Sequence, residues 1–171
     1  MNEQQIRMTV EELLSKYCRI VDCKDYDDFD KVFSSTARIE IVIQGLKFNS
    51  IQPFKDFLNE TKPFSEDRMH TTSNLSLEMD GDDRLRGLCY WQSTMSFKGV
   101  PVMEGGWYEF GCNLRETPIK FDCFRILHKY RVPARVESWK HVGFPGTEAK
   151  MSIDEEIFDD LKHWFSFDQS D

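Results

Sequence analysis

HTTSNLSLEMDGDDRLRGLCYWQSTMSF, residues 70–97, reads as two β-strands joined by an acidic turn. Leu75, Leu77 and Met79 alternate with polar neighbours, the period of a strand with one buried face. Asp80-Gly81-Asp82-Asp83 supplies the turn. Past it, Cys89, Trp91, Ser93, Met95 and Phe97 fall on one face, and Leu88, Tyr90, Gln92, Thr94 and Ser96 on the other. The first of these faces is mainly apolar with one hydroxyl, which suits a core or a pocket wall. Strand-like stretches follow at 102–114 and 121–132, so this half of the chain predicts an antiparallel meander.

Upstream of His70 the period is helical. Thr9 with Glu12 forms a capping-box pattern, and Leu13, Leu14, Tyr17, Ile20 and Val21 follow at helix spacing. A short second helix over 25–33 turns Tyr26, Phe29, Val32 and Phe33 inward, and 37–43 is a β-branched strand. Ser50 with Pro53 opens a third helix carrying Ile51, Phe54, Phe57 and Leu58. Helices first and antiparallel strands afterwards define an α+β domain with helices on one face of a sheet. A curved sheet wrapped by helices makes a cone with a ligand pocket inside.

At 171 residues the chain is one domain, 1–171, able to bury roughly 70% of its unfolded surface. Fourteen Phe and four Trp leave apolar material to line a cavity. A net charge of −8 argues against nucleic acid, whose binders need clustered cations, and against an anionic membrane surface. No apolar run reaches the 18 or so residues of a membrane span, and MNEQQIRMTVEELL lacks the order of a secretory leader. Five cysteines without a C-x-x-C pair suggest neither a disulfide framework nor a zinc site, and predict reduced thiols in a cytoplasmic protein.

Residues 136–171 read as an extension of the domain. Gly143-Phe144-Pro145-Gly146 is a loop, and Ser152 with Glu155 caps a helix carrying Ile153, Ile157, Phe158, Leu161, Trp164 and Phe165. That stripe fits packing against the sheet or a second subunit. It fits equally a terminal lid that excludes water from a pocket mouth.

Tyr17, Asp22 and His70 carry the candidate chemistry. A carboxylate can hold a histidine in one tautomer, which suits proton transfer near neutral pH. Asp22 also breaks a local rule: an acid in the last helical turn faces the negative dipole end, at a cost of about 0.3–1 kcal/mol. Singly, each residue fits a plainer role as core aromatic, helix cap or strand opener. Along 102–114, Tyr108, Phe110, Cys112 and Leu114 share one face, and Trp107, Glu109 and Asn113 the other. Alternation by itself leaves Glu109 in solvent as readily as in a cavity. Phosphate loops, nucleophile elbows and metalloprotease motifs are absent, and His70, His128, His141 and His163 are dispersed. Chemistry on this set runs simplest with no cofactor, as proton abstraction, elimination, isomerisation or ring closure.

Y-x4-D in the first helix, A-R-I-E-I-V-I, R-M-H, E-M-D-G-D, G-G-W-Y-E and F-R-I resemble, in order and spacing, the SnoaL-like branch of the nuclear-transport-factor-2-like superfamily. The pattern is most similar to scytalone dehydratase and bile-acid 7α-dehydratase, over about residues 8–135. The I-F-D-D run at 157–160 resembles the C-terminal stretch of scytalone dehydratase, whose aromatics cover the pocket. The resemblance implies that Asp22 and His70 are a catalytic pair, with Tyr17 as the first-helix tyrosine and Glu109 at a pocket asparagine's place. Val21 and Ile41 stand where scytalone dehydratase has substrate-polarising tyrosines, Met95 lies near its second histidine, and Ser93 near the bile-acid enzyme's strand aspartate. These departures point away from scytalone as substrate.

The expected function is a cofactor-free lyase, cyclase or isomerase acting on a small apolar polyketide or terpenoid of secondary metabolism. Asp22, His70, Tyr17 and Glu109 would be catalytic. Ile41, Trp91, Ser93, Met95, Trp107, Arg131 at the mouth and Phe158 from the lid would contact substrate. Enclosed by Trp107 and Trp91, Glu109 would have a raised pKa and serve as a proton donor. The competing reading is a non-catalytic member that binds a ligand or scaffolds another protein. Large apolar residues on both faces of 102–114 predict a homodimer or homotrimer.

Overall fold

The structure, a computed structural model, describes residues 1–97 and 100–133. Helix α1 spans Glu3–Cys23 and starts earlier than the Thr9–Glu12 pattern predicts. Asn2 caps it instead: its side chain accepts from the Gln5 N–H while the Gln5 side chain accepts from the Asn2 N–H, each at 2.9 Å. Thr9 lies inside the helix, its hydroxyl donating back to the Gln5 carbonyl at 2.9 Å. Lys24, in the left-handed conformation with φ 59°, ends the helix. The buried stripe is Val10, Leu13, Leu14, Tyr17, Cys18, Ile20 and Val21.

The second predicted helix is a short 3-10 helix, Tyr26–Lys31, but it still turns Tyr26 and Phe29 into the core, with Val32 and Phe33 following. A buried lysine from the next helix pins it. Lys55 Nζ donates to the Asp27 carbonyl at 3.0 Å and to Asp30 Oδ2 at 2.9 Å, so its charge is paired and two of its three donors are used. Strand β1 runs Phe33–Ile41, beginning and ending before the predicted 37–43. Val42 and Ile43 leave the sheet in a 3-10 turn, and a short strand β2, Leu46–Phe48, returns along β1. The sequence reading missed β2, since three residues are too few to show a period. Helix α2 is Ile51–Thr61, as expected.

The meander consists of β3 (Ser65–Met79), β4 (Arg84–Phe97), β5 (Val100–Asn113) and β6 (Phe121–Pro133). His70 therefore sits inside β3 rather than at its start. The sheet order is β2-β1-β6-β5-β4-β3, with β1 and β6 parallel and the other pairs antiparallel. Register shifts between Glu66 and Met69, between Ser73 and Ser76, and between Gly105 and Gly106 mark bulges. Bulges bend and twist strands, and here they curve an unclosed mixed sheet around the helices.

The concave side holds the core. Tyr17 packs against Phe29, Phe33, Tyr108 and Phe124 with ring centroids 4.8–5.9 Å apart. In the β4–β5 ladder, Cys89 pairs with Tyr108, Trp91 with Gly106, Ser93 with Glu104 and Met95 with Val102. Odd residues of β4 thus share the concave face with even residues of β5. At Gly106 the bulge brings the neighbouring backbone so close that an added Cβ would lie 1.8 Å from the Leu127 carbonyl oxygen. Gly106→Ala should therefore force backbone movement and lower stability by about 1–3 kcal/mol, measured by urea denaturation. An unchanged midpoint would show that the close approach imposes no constraint.

Candidate functional site

Between the helices and the concave sheet face lies a cavity of about 150 Å³. Tyr17 and Val21 of α1, Phe54, Phe57 and Leu58 of α2, and Ile41 form its apolar side. Arg68, His70, Trp91, Met95, Glu104, His128 and Arg131 line the sheet side.

Asp22 stands behind His70 and grips it twice. Its Oδ1 lies 2.6 Å from His70 Nδ1, and its Oδ2 accepts the His70 backbone N–H at 3.0 Å. Strand β3 is at the sheet edge, so a backbone N–H facing away from β4 has no strand partner. The carboxylate at the end of α1 supplies one. Because a carboxylate only accepts, Nδ1 carries the proton, and in the neutral ring Nε2 is the acceptor. This second use of Asp22 accounts for an acid at an unfavourable helix end.

Tyr17 lies at the floor of the cavity. Burial pushes its hydroxyl well above the ordinary tyrosine range, outweighing the hydrogen bond from Tyr108. The group stays protonated and can donate. Trp91 stacks on Tyr108 with centroids 5.3 Å apart, and its indole N–H donates to the Leu127 carbonyl at 3.3 Å. His70 and His128 flank this indole, with centroids 6.0 Å and 4.9 Å away.

A second polar cluster, not anticipated from sequence, centres on Glu104. Its Oε1 accepts from the Ser93 hydroxyl at 3.0 Å and its Oε2 from Arg131 Nε at 2.5 Å, while His128 Nε2 lies 3.6 Å from Oε2. Burial alone would raise the Glu104 carboxyl; the His128 and Arg131 side chains outweigh it and hold the group at about 2, against an ordinary 4.5.

Of the residues predicted from sequence, Tyr17, His70, Ile41, Trp91, Met95 and Arg131 line the cavity, and Ser93 is buried beside it in the Glu104 cluster. Trp107 and Glu109 do not, which corrects the expectation for both. They occupy odd positions of β5, and the β4 register sends that face outward. Glu109 accepts from Arg125 at 2.5 Å, Arg125 also donates to Glu40 at 2.8 Å, and Lys129 lies over the Trp107 ring at 4.4 Å. Phe158 and the predicted lid helix lie outside the described residues. Sequence reasoning missed Arg68, Glu104 and His128. The available signal was phase, since Glu104 shares parity with Tyr108 and Phe110, His128 with Phe124 and Ile126, and Arg68 with His70. Among the described residues no group of three His, Cys, Asp or Glu side chains is placed to hold a metal ion, and no helix is long and apolar enough to cross a membrane.

The chain belongs to the SnoaL-like domain family, whose profile matches residues 3–123. Among curated proteins, none matches closely enough to count as a relative. Solved structures share the nuclear-transport-factor-2-like fold. A type-2 hexachlorocyclohexane dehydrochlorinase, LinA, is 18% identical with a TM-score of 0.72, covering 84% of this chain and 97% of its own. A Novosphingobium aromaticivorans protein provisionally named a scytalone dehydratase is 12% identical with a TM-score of 0.68, covering 78% and 91%. The β subunit of benzoate 1,2-dioxygenase from Burkholderia mallei is 14% identical with a TM-score of 0.60, covering 70% and 88%.

Glu104→Gln should destabilise the fold by about 1.5–3 kcal/mol at neutral pH, because the buried charged acceptor of the Ser93 and Arg131 hydrogen bonds would become a neutral amide. The carboxylate's contribution is present above the unfolded value of 4.5 and is lost as pH falls toward about 2. Urea melts at neutral pH and at about pH 3 should show the gap between the two proteins narrowing with acid. An equal gap at both would remove the Glu104 charge from this account.

Proposed function

We propose that the protein is a cofactor-independent acid–base enzyme of the lyase, isomerase or cyclase type, in which Asp22 orients His70 to move a substrate proton. The observation that carries this reading is the double contact of Asp22 with His70, which puts a proton on Nδ1 and leaves Nε2 of the neutral ring free to accept in a residue lining the cavity. In an elimination, Nε2 would take a proton from carbon and the C–H electron pair would become the new double bond. The leaving group would depart from the adjacent carbon with its bonding electrons. Asp22 would stabilise the imidazolium so formed, and the protonated Tyr17 hydroxyl would donate to a substrate oxygen or leaving group.

Membership of the SnoaL-like family and the dehydrochlorinase and dehydratase names of structural neighbours support elimination as the first reaction to test. A cavity of roughly 150 Å³ is large enough to hold benzene. It suits a single ring or the reacting ring of a polyketide or terpenoid, the substrate class proposed here.

On a panel of cyclic compounds with a leaving group β to an acidic C–H, His70→Ala should lower turnover by about 100-fold or more. Asp22→Asn, which disturbs the tautomer, should lower it by a smaller factor. Equal inertness of wild type and His70→Ala across the panel would favour the ligand-binding or scaffolding reading.

We also propose that a second copy of this chain covers the outer sheet face. Tyr90, Met103, Tyr130 and Val132 are 36–52% exposed there, beside Trp107, and among the described residues nothing packs over them. Sedimentation should give a homodimer or homotrimer at micromolar concentration. A species at the 20.2 kDa chain mass would contradict this.

A further inference from the structure

Folded proteins rarely leave buried polar atoms unpaired, so those that remain mark places where a ligand can complete the structure. Among the described residues, the buried side-chain atoms without a hydrogen-bond partner are Tyr26 Oη, Ser34 Oγ, Arg68 Nε and His128 Nδ1. Arg68 and His128 both line the cavity beside His70. The two cavity arginines differ in kind. Arg131 is committed to the Glu104 carboxylate at 2.5 Å. Arg68 forms no ion pair with any described carboxylate, and its charge acts on the Tyr17 and Tyr26 hydroxyls.

Backbone geometry explains how Arg68 reaches this place. The β3–β4 register slips between Glu66 and Met69, and Arg68, within the slip, stands on the cavity side with His70, with Met69 between them exposed. A guanidinium that cannot lose its charge, partly withdrawn from water and without a counter-ion among the described residues, attracts an oxygen anion. Its planar fork matches a carboxylate through two parallel N–H bonds. The aromatic and aliphatic walls and the benzene-scale volume set the remainder of the ligand.

We infer that Arg68 is the substrate anchor of this cavity, and that the substrate class is a compact single-ring compound bearing a carboxylate or an enolate-type oxygen. The inference rests on the acid–base reading above and deepens it. An oxygen held by Arg68 would carry charge that develops when His70 removes a nearby proton, so one cation would serve both recognition and charge stabilisation.

Binding tests this separately from turnover, with benzoate as the anionic probe and benzamide as its neutral counterpart of similar shape. By calorimetry, wild type should bind benzoate at least about tenfold more tightly than benzamide, the range of a charge-assisted hydrogen bond. Arg68→Gln should erase that preference, and His70→Ala should retain it. In the unaltered protein, the Arg68 Nε–H resonance in nitrogen-15 spectra should shift with benzoate and stay in place with benzamide, a readout that needs no variant to fold. Benzoate binding no tighter than benzamide, an unmoved Arg68 resonance, or an unchanged preference in Arg68→Gln would overturn the assignment. So would a preference lost in His70→Ala and kept in Arg68→Gln. Failure of the acid–base reading would show as absent turnover with the benzoate preference intact.

Discussion

One extra residue in β6 sets the geometry of the concave face. Opposite Gly105 and Gly106, the ladder steps from Tyr130 to His128, leaving Lys129 as the bulged residue. In an unbroken strand, residues three apart point to opposite faces. The bulge restores the phase, so His128 and Arg131 both reach Glu104 from the same side. Gly106 permits this because no side chain competes with the Leu127 carbonyl, which in turn receives the Trp91 indole N–H. Curvature, the buried ionic cluster and the orientation of the central tryptophan thus share one backbone irregularity.

The Asp22–His70 clasp solves a different problem. Helix α1 ends where an acid is disfavoured, and edge strand β3 has a backbone donor without a strand partner. Each defect satisfies the other through one carboxylate. Such a joint holds the imidazole by one bond and its backbone by another, and places a proton on Nδ1, the property a proton-transferring histidine needs. The apolar floor beneath it, from Tyr17 to Phe124, lowers the local dielectric and so strengthens each polar contact above. Charge is then divided across the cavity: Glu104 and Arg131 neutralise one another, Asp22 serves His70, and Arg68 remains without a described counter-charge.

The helical stripe of α1, the inward residues Tyr26, Phe29, Val32 and Phe33, the α2 positions and the buried odd face of β4 were legible from periodicity, because burial on one side leaves a period in the chain. Boundaries were less legible. The start of α1 depended on whether Asn2 or Thr9 caps it, and both patterns satisfy the same local rule. Short β2 exists through its pairing with β1, which no local signal announces. Tyr17, Asp22 and His70 could be singled out as suspects from type, spacing and one broken rule, yet their meeting required α1 to cross the edge of a strand some fifty residues later.

What the sequence by itself determined was the class of fold, the identity of its apolar faces and the residue types available for chemistry. Those follow from local periods and from side-chain pKa and polarity. Register was decided only by the tertiary structure. Whether Glu109 or Glu104 faces the cavity turns on a one-residue phase between β4 and β5, and such a slip exchanges every side chain between the two faces. Alternation within β5 separates odd from even but does not say which is inside. The pairing of Ser93 with Glu104 and the bulge at Lys129 say so, because they are long-range contacts whose energy belongs to the assembled sheet rather than to any one strand.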